Sequence, residues 1–97
     1  MTARSWLMLD TDLGTDVDDA LALAMLFDAD AAADLVAVTT VYGDTALRAQ
    51  LARRYARLAG KDIVVYAGER DTLSGKDVWW AGHEGTLHDG LQAEEYE

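Results

Sequence analysis

The sequence has 97 residues, 51% of them apolar, which is enough for one small domain with a single core. It contains no cysteine, which excludes disulfides and thiolate metal sites, and its net charge of -10 argues against binding to nucleic-acid phosphates or anionic lipid. No apolar run approaches the roughly 20 residues of a membrane span, and the run near the N-terminus is too short for a signal peptide. We therefore expect a cytoplasmic protein with neither membrane nor nucleic-acid partners.

The first predicted elements are a buried strand and a helix, separated by an acidic loop. Trp6–Leu9 is a short apolar run closed by turn-forming residues, which is typical of a buried strand. Asp16 or Asp18 can cap the helix that follows. Ala20–Phe27 is strongly helix-forming and apolar on most sides, so we expect this helix to be largely buried.

Two further strands and one helix follow. Leu35–Val41 is rich in β-branched residues without clean alternation, which predicts a central parallel strand covered on both faces. Thr45–Leu58 predicts an amphipathic helix, and Ile63–Tyr66 predicts a third strand. The helix has an apolar face of Leu47, Leu51, Tyr55 and Leu58, with Arg48, Arg53, Arg54 and Arg57 largely between them. The order βαβαβ predicts a parallel α/β sheet with right-handed crossovers, followed by loops and one short helix.

Two acidic segments follow the first two strands. Five aspartates lie within the ten residues 10–19, and Gly43-Asp44 follows the second strand. Two carboxylates about 4 Å apart repel by roughly 4 kcal/mol at an effective dielectric near 20, so the cluster needs a cation, shared protons or separation into water. Because the carboxyl ends of parallel strands form the binding edge of such sheets, both loops should face one crevice. A hard cation is the simplest partner for this group of oxygens.

Several common motifs do not fit. An EF-hand loop starting at Asp10 would place Thr15 at the required glycine and Leu21 at the final glutamate. The glycine-rich dinucleotide and phosphate motifs are absent, and the segment His83–His88 has one residue too many for the zinc motif H-E-x-x-H.

Three segments, in order, resemble the inosine-uridine preferring nucleoside hydrolase family. The segment Asp10–Leu21, DTDLGTDVDDAL, looks like the family's N-terminal signature. Thr39–Asp44 is similar to its second-strand segment, and Ala81–Gly85 resembles a later His-Gly-rich loop. The resemblance implies a Rossmann-like fold and Ca²⁺-dependent hydrolysis of the N-glycosidic bond of purine or pyrimidine ribonucleosides.

The resemblance also implies roles for individual residues. Asp12 and Asp19 would be calcium ligands, with Asp12 also the general base that takes a proton from the metal-bound water. Asp18 would accept a hydrogen bond from a ribose hydroxyl, and Asp10 would support the site from behind. Two later residues would approach substrate, namely Asp44 and His83. From the residues alone, Asp44 is equally well a simple turn residue and Asp16 a helix cap.

Members of this family are considerably longer than the present sequence. We therefore expect residues 1–97 to be a single, incomplete domain corresponding to the N-terminal part of the nucleoside hydrolase fold, with weak or no activity alone and a tendency to form homo-oligomers. One alternative is a haloacid dehalogenase-type, Mg²⁺-dependent phosphatase, whose D-x-D pattern Asp10-Thr-Asp12 matches although Leu13 interrupts the expected continuation. Another is a non-catalytic, calcium-binding fragment.

Overall fold

The secondary structure follows the predicted βαβαβ order. The computed structural model describes residues 5–28, 33–78 and 84–97. Two 3-10 turns follow the third strand. No helix in these ranges is long and apolar enough to cross a membrane. The elements are β1 (Ser5–Thr11), α1 (Val17–Leu26), β2 (Ala33–Thr40), α2 (Thr45–Leu58), β3 (Val64–Ala67) and the turns Glu84–Leu87 and Leu91–Ala93.

The three strands form one parallel sheet in the order β1-β2-β3, which confirms the predicted α/β, Rossmann-like architecture. When two crossover connections have the same hand and lead to the next strand in the same direction across the sheet, both of their helices lie on one face of the sheet. The core accordingly joins Val38 and Val65 from the strands to Leu23 of α1 and Leu51 of α2. All four side chains are at most 1% exposed.

The opposite face of the sheet is open, which corrects two predictions. Trp6 and Met8 of β1 are 82% and 61% exposed, so the expected burial of the first strand is wrong for these residues. β2 is central, but Val36 is 44% exposed, and Tyr66 of β3 is also exposed, so β2 is not covered on both faces. The reason is topological, because both crossovers pass over the same side. Self-association of the chain, which would bury this face, remains a prediction.

Helix α1 is buried along one stripe only, so the expectation that it is largely buried is also wrong. Leu23 is fully buried, whereas Leu21 and Met25 are 59% and 73% exposed. The helix contributes Leu23 and, in part, Ala20 to the core that it shares with the sheet and α2, whereas Leu21 and Met25 lie outside it.

Helix α2 has the predicted limits, but its buried face is rotated from the predicted one. Leu58, assigned to the apolar face, is 68% exposed. Arg48, assigned to the polar residues, is only 3% exposed, while Ala52 and Ala56 are fully buried. Small side chains let α2 approach the sheet closely. The guanidinium of Arg48 forms hydrogen bonds there, which a hydrophobicity pattern does not predict.

The C-terminal segment is held against α2 by an ion-pair cluster. Arg54 Nε donates to Glu94 Oε1 at 2.7 Å, and Arg57 Nη2 donates to the same oxygen at 2.6 Å. The Glu94 side chain is 9% exposed. Hydrogen bonds from Arg57 and Arg54 lower the pKa of Glu94 to about 2.

The substitution Glu94→Gln should lower the melting temperature at pH 7, because it removes a carboxylate whose ionised form is favoured in the folded state relative to the unfolded state. A carboxyl group whose pKa is lower in the folded state than in the unfolded state stabilises the fold at pH values above its unfolded pKa. That stabilisation is lost as pH falls from about 4.5 toward about 2. The difference between variant and wild type should therefore shrink across this range in thermal melts followed by circular dichroism. Glu95→Gln, a change of the same charge at an exposed neighbour, is the control. An equal loss in both variants would contradict a specific role for the cluster.

Candidate functional site

The loop after β1 is a tight turn anchored in the core. The side chain of Leu13 is fully buried. Gly14 has a φ of 99°, and a Cβ at this position would lie 3.2 Å from Cδ2 of Leu51, so glycine meets both the backbone and the space requirement. Thr15 donates twice to the Asp12 carbonyl oxygen, through its amide at 3.2 Å and its hydroxyl at 2.8 Å. Thr15 therefore holds the carbonyl oxygen of Asp12 by two hydrogen bonds.

Helix α1 begins directly after this turn. The Val17 amide donates to Asp16 Oδ1 at 2.7 Å, so the prediction that Asp16 or Asp18 caps the helix is confirmed for Asp16. Asp18 and Asp19 lie in the first helical turn, where negative charge suits the positive end of the helix dipole. Consecutive helical residues point about 100° apart, so these two carboxylates face different directions.

Asp12 and Asp19 form a carboxyl pair at the carboxyl end of β1. A hydrogen bond with Asp19, desolvation by burial and the negative charge of Asp19 together raise the pKa of Asp12. Burial also tends to raise the pKa of Asp19, but hydrogen bonds from Thr11 and Asp12 prevail and lower it. Thr11 Oγ1 donates to Asp19 Oδ2 at 2.5 Å. The two carboxyl groups of this pair therefore differ in acidity, with Asp12 the weaker acid.

The donor atoms of this pair fit a hard cation in part. Two hydrogen-bonded carboxyl groups provide the oxygen ligands that calcium prefers once both are ionised. Calcium takes six to eight oxygens. Within residues 5–28, 33–78 and 84–97, however, no group of three or more His, Cys, Asp or Glu side chains could hold a metal ion. The described part of the chain therefore brings together no more than two such side chains at any one place.

The loop after β2 lies next to the first loop. Tyr42 has a φ of 73°, an uncommon conformation for a residue with a side chain. Asp44 is exposed and caps α2, with its Oδ1 accepting from the Leu47 amide at 3.0 Å. The turn-residue interpretation of Asp44 is therefore confirmed, and a contact with substrate remains a prediction.

The buried side chain of Arg48 connects the two loops. Its Nη1 donates to the carbonyl oxygens of Asp12 at 2.8 Å and Leu13 at 2.9 Å. Its Nε donates to the Tyr42 carbonyl oxygen at 2.7 Å. The predicted proximity of the loops after β1 and β2 is thus confirmed, since one guanidinium contacts both.

The remaining predicted site residues are Asp10, Asp18 and His83. Asp10 lies within β1 and its Oδ1 accepts from Thr39 Oγ1 of β2 at 2.7 Å. By strand alternation it faces the sheet side opposite to Thr11. Asp18 is exposed in the first turn of α1. His83, with the third resembling segment, lies outside the described residues.

Three residues that matter to this geometry were not predicted as part of it. Thr11 binds Asp19, Thr15 binds the Asp12 carbonyl, and Arg48 spans both loops. Threonines beside strand-end aspartates could have suggested the first two contacts. No sequence signal separates Arg48 from the three less buried arginines later in the helix.

The family assignment agrees with this geometry. No curated protein matches the chain. The family model described as inosine-uridine preferring nucleoside hydrolase matches residues 7–96, which is nearly the whole sequence and includes both loops. Members of that family are generally metal-dependent. On this match and on its Rossmann-like α/β fold, the chain belongs to the inosine-uridine preferring nucleoside hydrolase family.

Proposed function

We propose that this chain provides the calcium- and ribose-binding part of a hydrolase that converts purine or pyrimidine ribonucleosides to free base and ribose. The observation that carries the proposal is the Asp12–Asp19 carboxyl pair at the carboxyl end of β1, inside the segment matched by the family model. The same match favours this activity over the phosphatase alternative.

In this proposal Asp12 and Asp19 hold Ca²⁺ through their carboxylate oxygens. When bound, the ion supplies positive charge that orients ribose hydroxyls and makes a nearby water easier to deprotonate. Waters, substrate hydroxyls and groups beyond the described residues would complete its shell. We propose that full activity needs such additional groups.

The chemistry of the proposed reaction suits an acidic site. The bond between C1′ of ribose and the base nitrogen breaks, its electron pair leaves with the base, and the water oxygen bonds to C1′. Positive charge develops on the ribosyl group, and neighbouring carboxylates stabilise it. Asp12 takes the proton of the attacking water, and the departing base nitrogen takes a proton from solvent.

The other residues would bind and orient the sugar. Asp18, exposed beside the pair, accepts a hydrogen bond from a ribose hydroxyl. One oxygen of Asp44 caps α2, and the second is proposed to face the ribose. His83 would approach substrate from its own loop. Asp10 would act indirectly, by fixing the end of β1 to β2 through Thr39.

Calcium-dependent binding of a ribonucleoside tests this function. Saturation-transfer NMR with inosine should show contact with the chain in millimolar calcium and none after chelation. The 2′-deoxy analogue should bind at least tenfold more weakly, because a site built around ribose hydroxyls is left with unpaired polar groups. Calcium binding without any nucleoside binding would favour the non-catalytic alternative.

The 97-residue chain alone should release little or no ribose from inosine or uridine in a reducing-sugar assay with calcium, because its described part supplies only two side-chain ligands. Robust ribose release would show that no additional groups are needed. Phosphate release from a phosphomonoester with Mg²⁺, in place of ribose release, would favour the phosphatase.

A further inference from the structure

Arg48 is a buried charged side chain that the proposed chemistry does not use. It lies in the first turn of α2, 3% exposed, while the exposed Asp44 and the Asp12–Asp19 pair provide the nearest negative charge. Burial lowers its pKa, which reflects the cost of removing the guanidinium from water. A charge in this position needs strong compensating hydrogen bonds.

Its partners include backbone oxygens of the two site loops. Three of its acceptors are the carbonyl oxygens of Asp12, Leu13 and Tyr42, at 2.7–2.9 Å. Two acceptors are consecutive residues of the first loop, and the third is in the second loop. The planar fork of donors in arginine can meet several such acceptors from one fixed position.

The second loop is in turn joined to the segment after β3. The Tyr42 amide donates to the Glu69 carbonyl oxygen at 2.9 Å, and the Gly43 amide donates to that of Arg70 at 3.1 Å. The segment after β3 is therefore joined to the second loop by backbone hydrogen bonds, and the side chain of Arg48 joins the second loop to the first.

We propose that Arg48 is a positioning residue that sets the distance and orientation between the carboxyl pair after β1 and the loop that carries Asp44. This inference rests on the proposed function, because the geometry it maintains is that of the proposed calcium and ribose site. Arg48 acts through the Asp12 backbone: its fork holds the carbonyl oxygen while Thr15 holds the same atom from within the loop. The carboxylate of Asp12 is then presented toward Asp19 in one orientation.

The test compares Arg48→Met and Arg48→Lys with wild type by two measurements. Amide hydrogen exchange reports on the loops, at Thr15 for the first and Tyr42 for the second. Isothermal titration reports calcium affinity. Arg48→Met should speed exchange at both amides at least tenfold and weaken calcium binding at least tenfold. Arg48→Lys keeps the charge but not the fork, so it should recover part of the thermal stability while calcium binding stays at least fivefold weaker.

Arg53→Met is the matched control, because Arg53 lies on the same helix and its Nη1 also donates to a backbone oxygen, that of Ile63, at 2.9 Å. It should leave loop exchange and calcium affinity within twofold of wild type even where it lowers the melting temperature. The proposal is overturned if Arg48→Met leaves loop exchange unchanged, or if Arg48→Lys restores full calcium affinity. If wild type fails to bind calcium, the proposed function is wrong, and loop exchange alone then decides the role of Arg48.

Discussion

Calcium should raise the melting temperature of the wild-type chain at pH 7 and leave that of Asp12→Asn/Asp19→Asn unchanged. At ten times its dissociation constant, a ligand that binds only the folded state adds about 1.4 kcal/mol to the free energy of unfolding. For a domain of this size that corresponds to roughly 6–11 °C. Differential scanning fluorimetry in calcium and in chelator measures the shift.

The double variant should not fold less well in the absence of calcium. The hydrogen bond with Asp19, burial and the negative charge of Asp19 all raise the pKa of Asp12, so a second negative charge in this pair is unfavourable. Two asparagines remove the repulsion and keep the shape of the side chains. In chelator the variant should therefore melt at or above the wild-type temperature, so that a missing calcium shift reports loss of ligands and not loss of fold.

Asp16→Asn combined with Asp71→Asn is the matched control, since it also removes two negative charges. Asparagine caps helices as well as aspartate does, so the role of Asp16 at α1 is kept. Asp71 is exposed and far along the chain from the pair. This variant should retain the full calcium shift. If it loses the shift as well, calcium responds to net charge and not to the carboxyl pair.

Leu23→Ala should cost about 2–5 kcal/mol of unfolding free energy, whereas Leu21→Ala should change it by less than about 0.5 kcal/mol. Leu23 is fully buried and Leu21 is 59% exposed. Both substitutions lie on α1 and replace the same residue type, so the change in helix propensity cancels between them. Because a domain of this length is stable by only about 5–15 kcal/mol, the first loss is a large part of the total.

Urea unfolding followed by circular dichroism measures both variants under the same conditions. A large cost for Leu21→Ala would mean that the outer side of α1 is covered in solution. That result would restore the burial expected for this helix from its composition, and sedimentation of the same samples would show whether a second copy provides the cover.

Local patterns predicted the elements well because their causes are local. The apolar run around Leu7 and the β-branched residues of β2 specify strands, and the limits of α2 follow from Asp44 at one end and Gly60 at the other. The same patterns gave wrong predictions of which side chains are buried. An exposed Trp6 and a half-buried α1 depend on which side of the sheet the crossovers take, and no single segment contains that information.

The candidate site was also predicted only in part from the sequence. The crowding of acidic residues between positions 10 and 19 identified the loop, and parallel topology brought it to the loop after β2. The direction of each side chain on the helix decides which carboxylates meet. Asp19 points toward Thr11 and Asp12, whereas Asp18, one residue earlier, points in a different direction.

By itself, the sequence determined the order of strands and helices, the acidic loop and the family to which they belong, because capping, periodicity and motif spacing act over a few residues. Only the tertiary structure decided that one face of the sheet is open, that Asp12 and Asp19 form a hydrogen-bonded pair, and that Arg48 is buried. Arg48 shows the physical reason most clearly. Its burial is tolerated because of carbonyl groups that lie about 35 residues away in the sequence, and only the folded chain brings those oxygens to it.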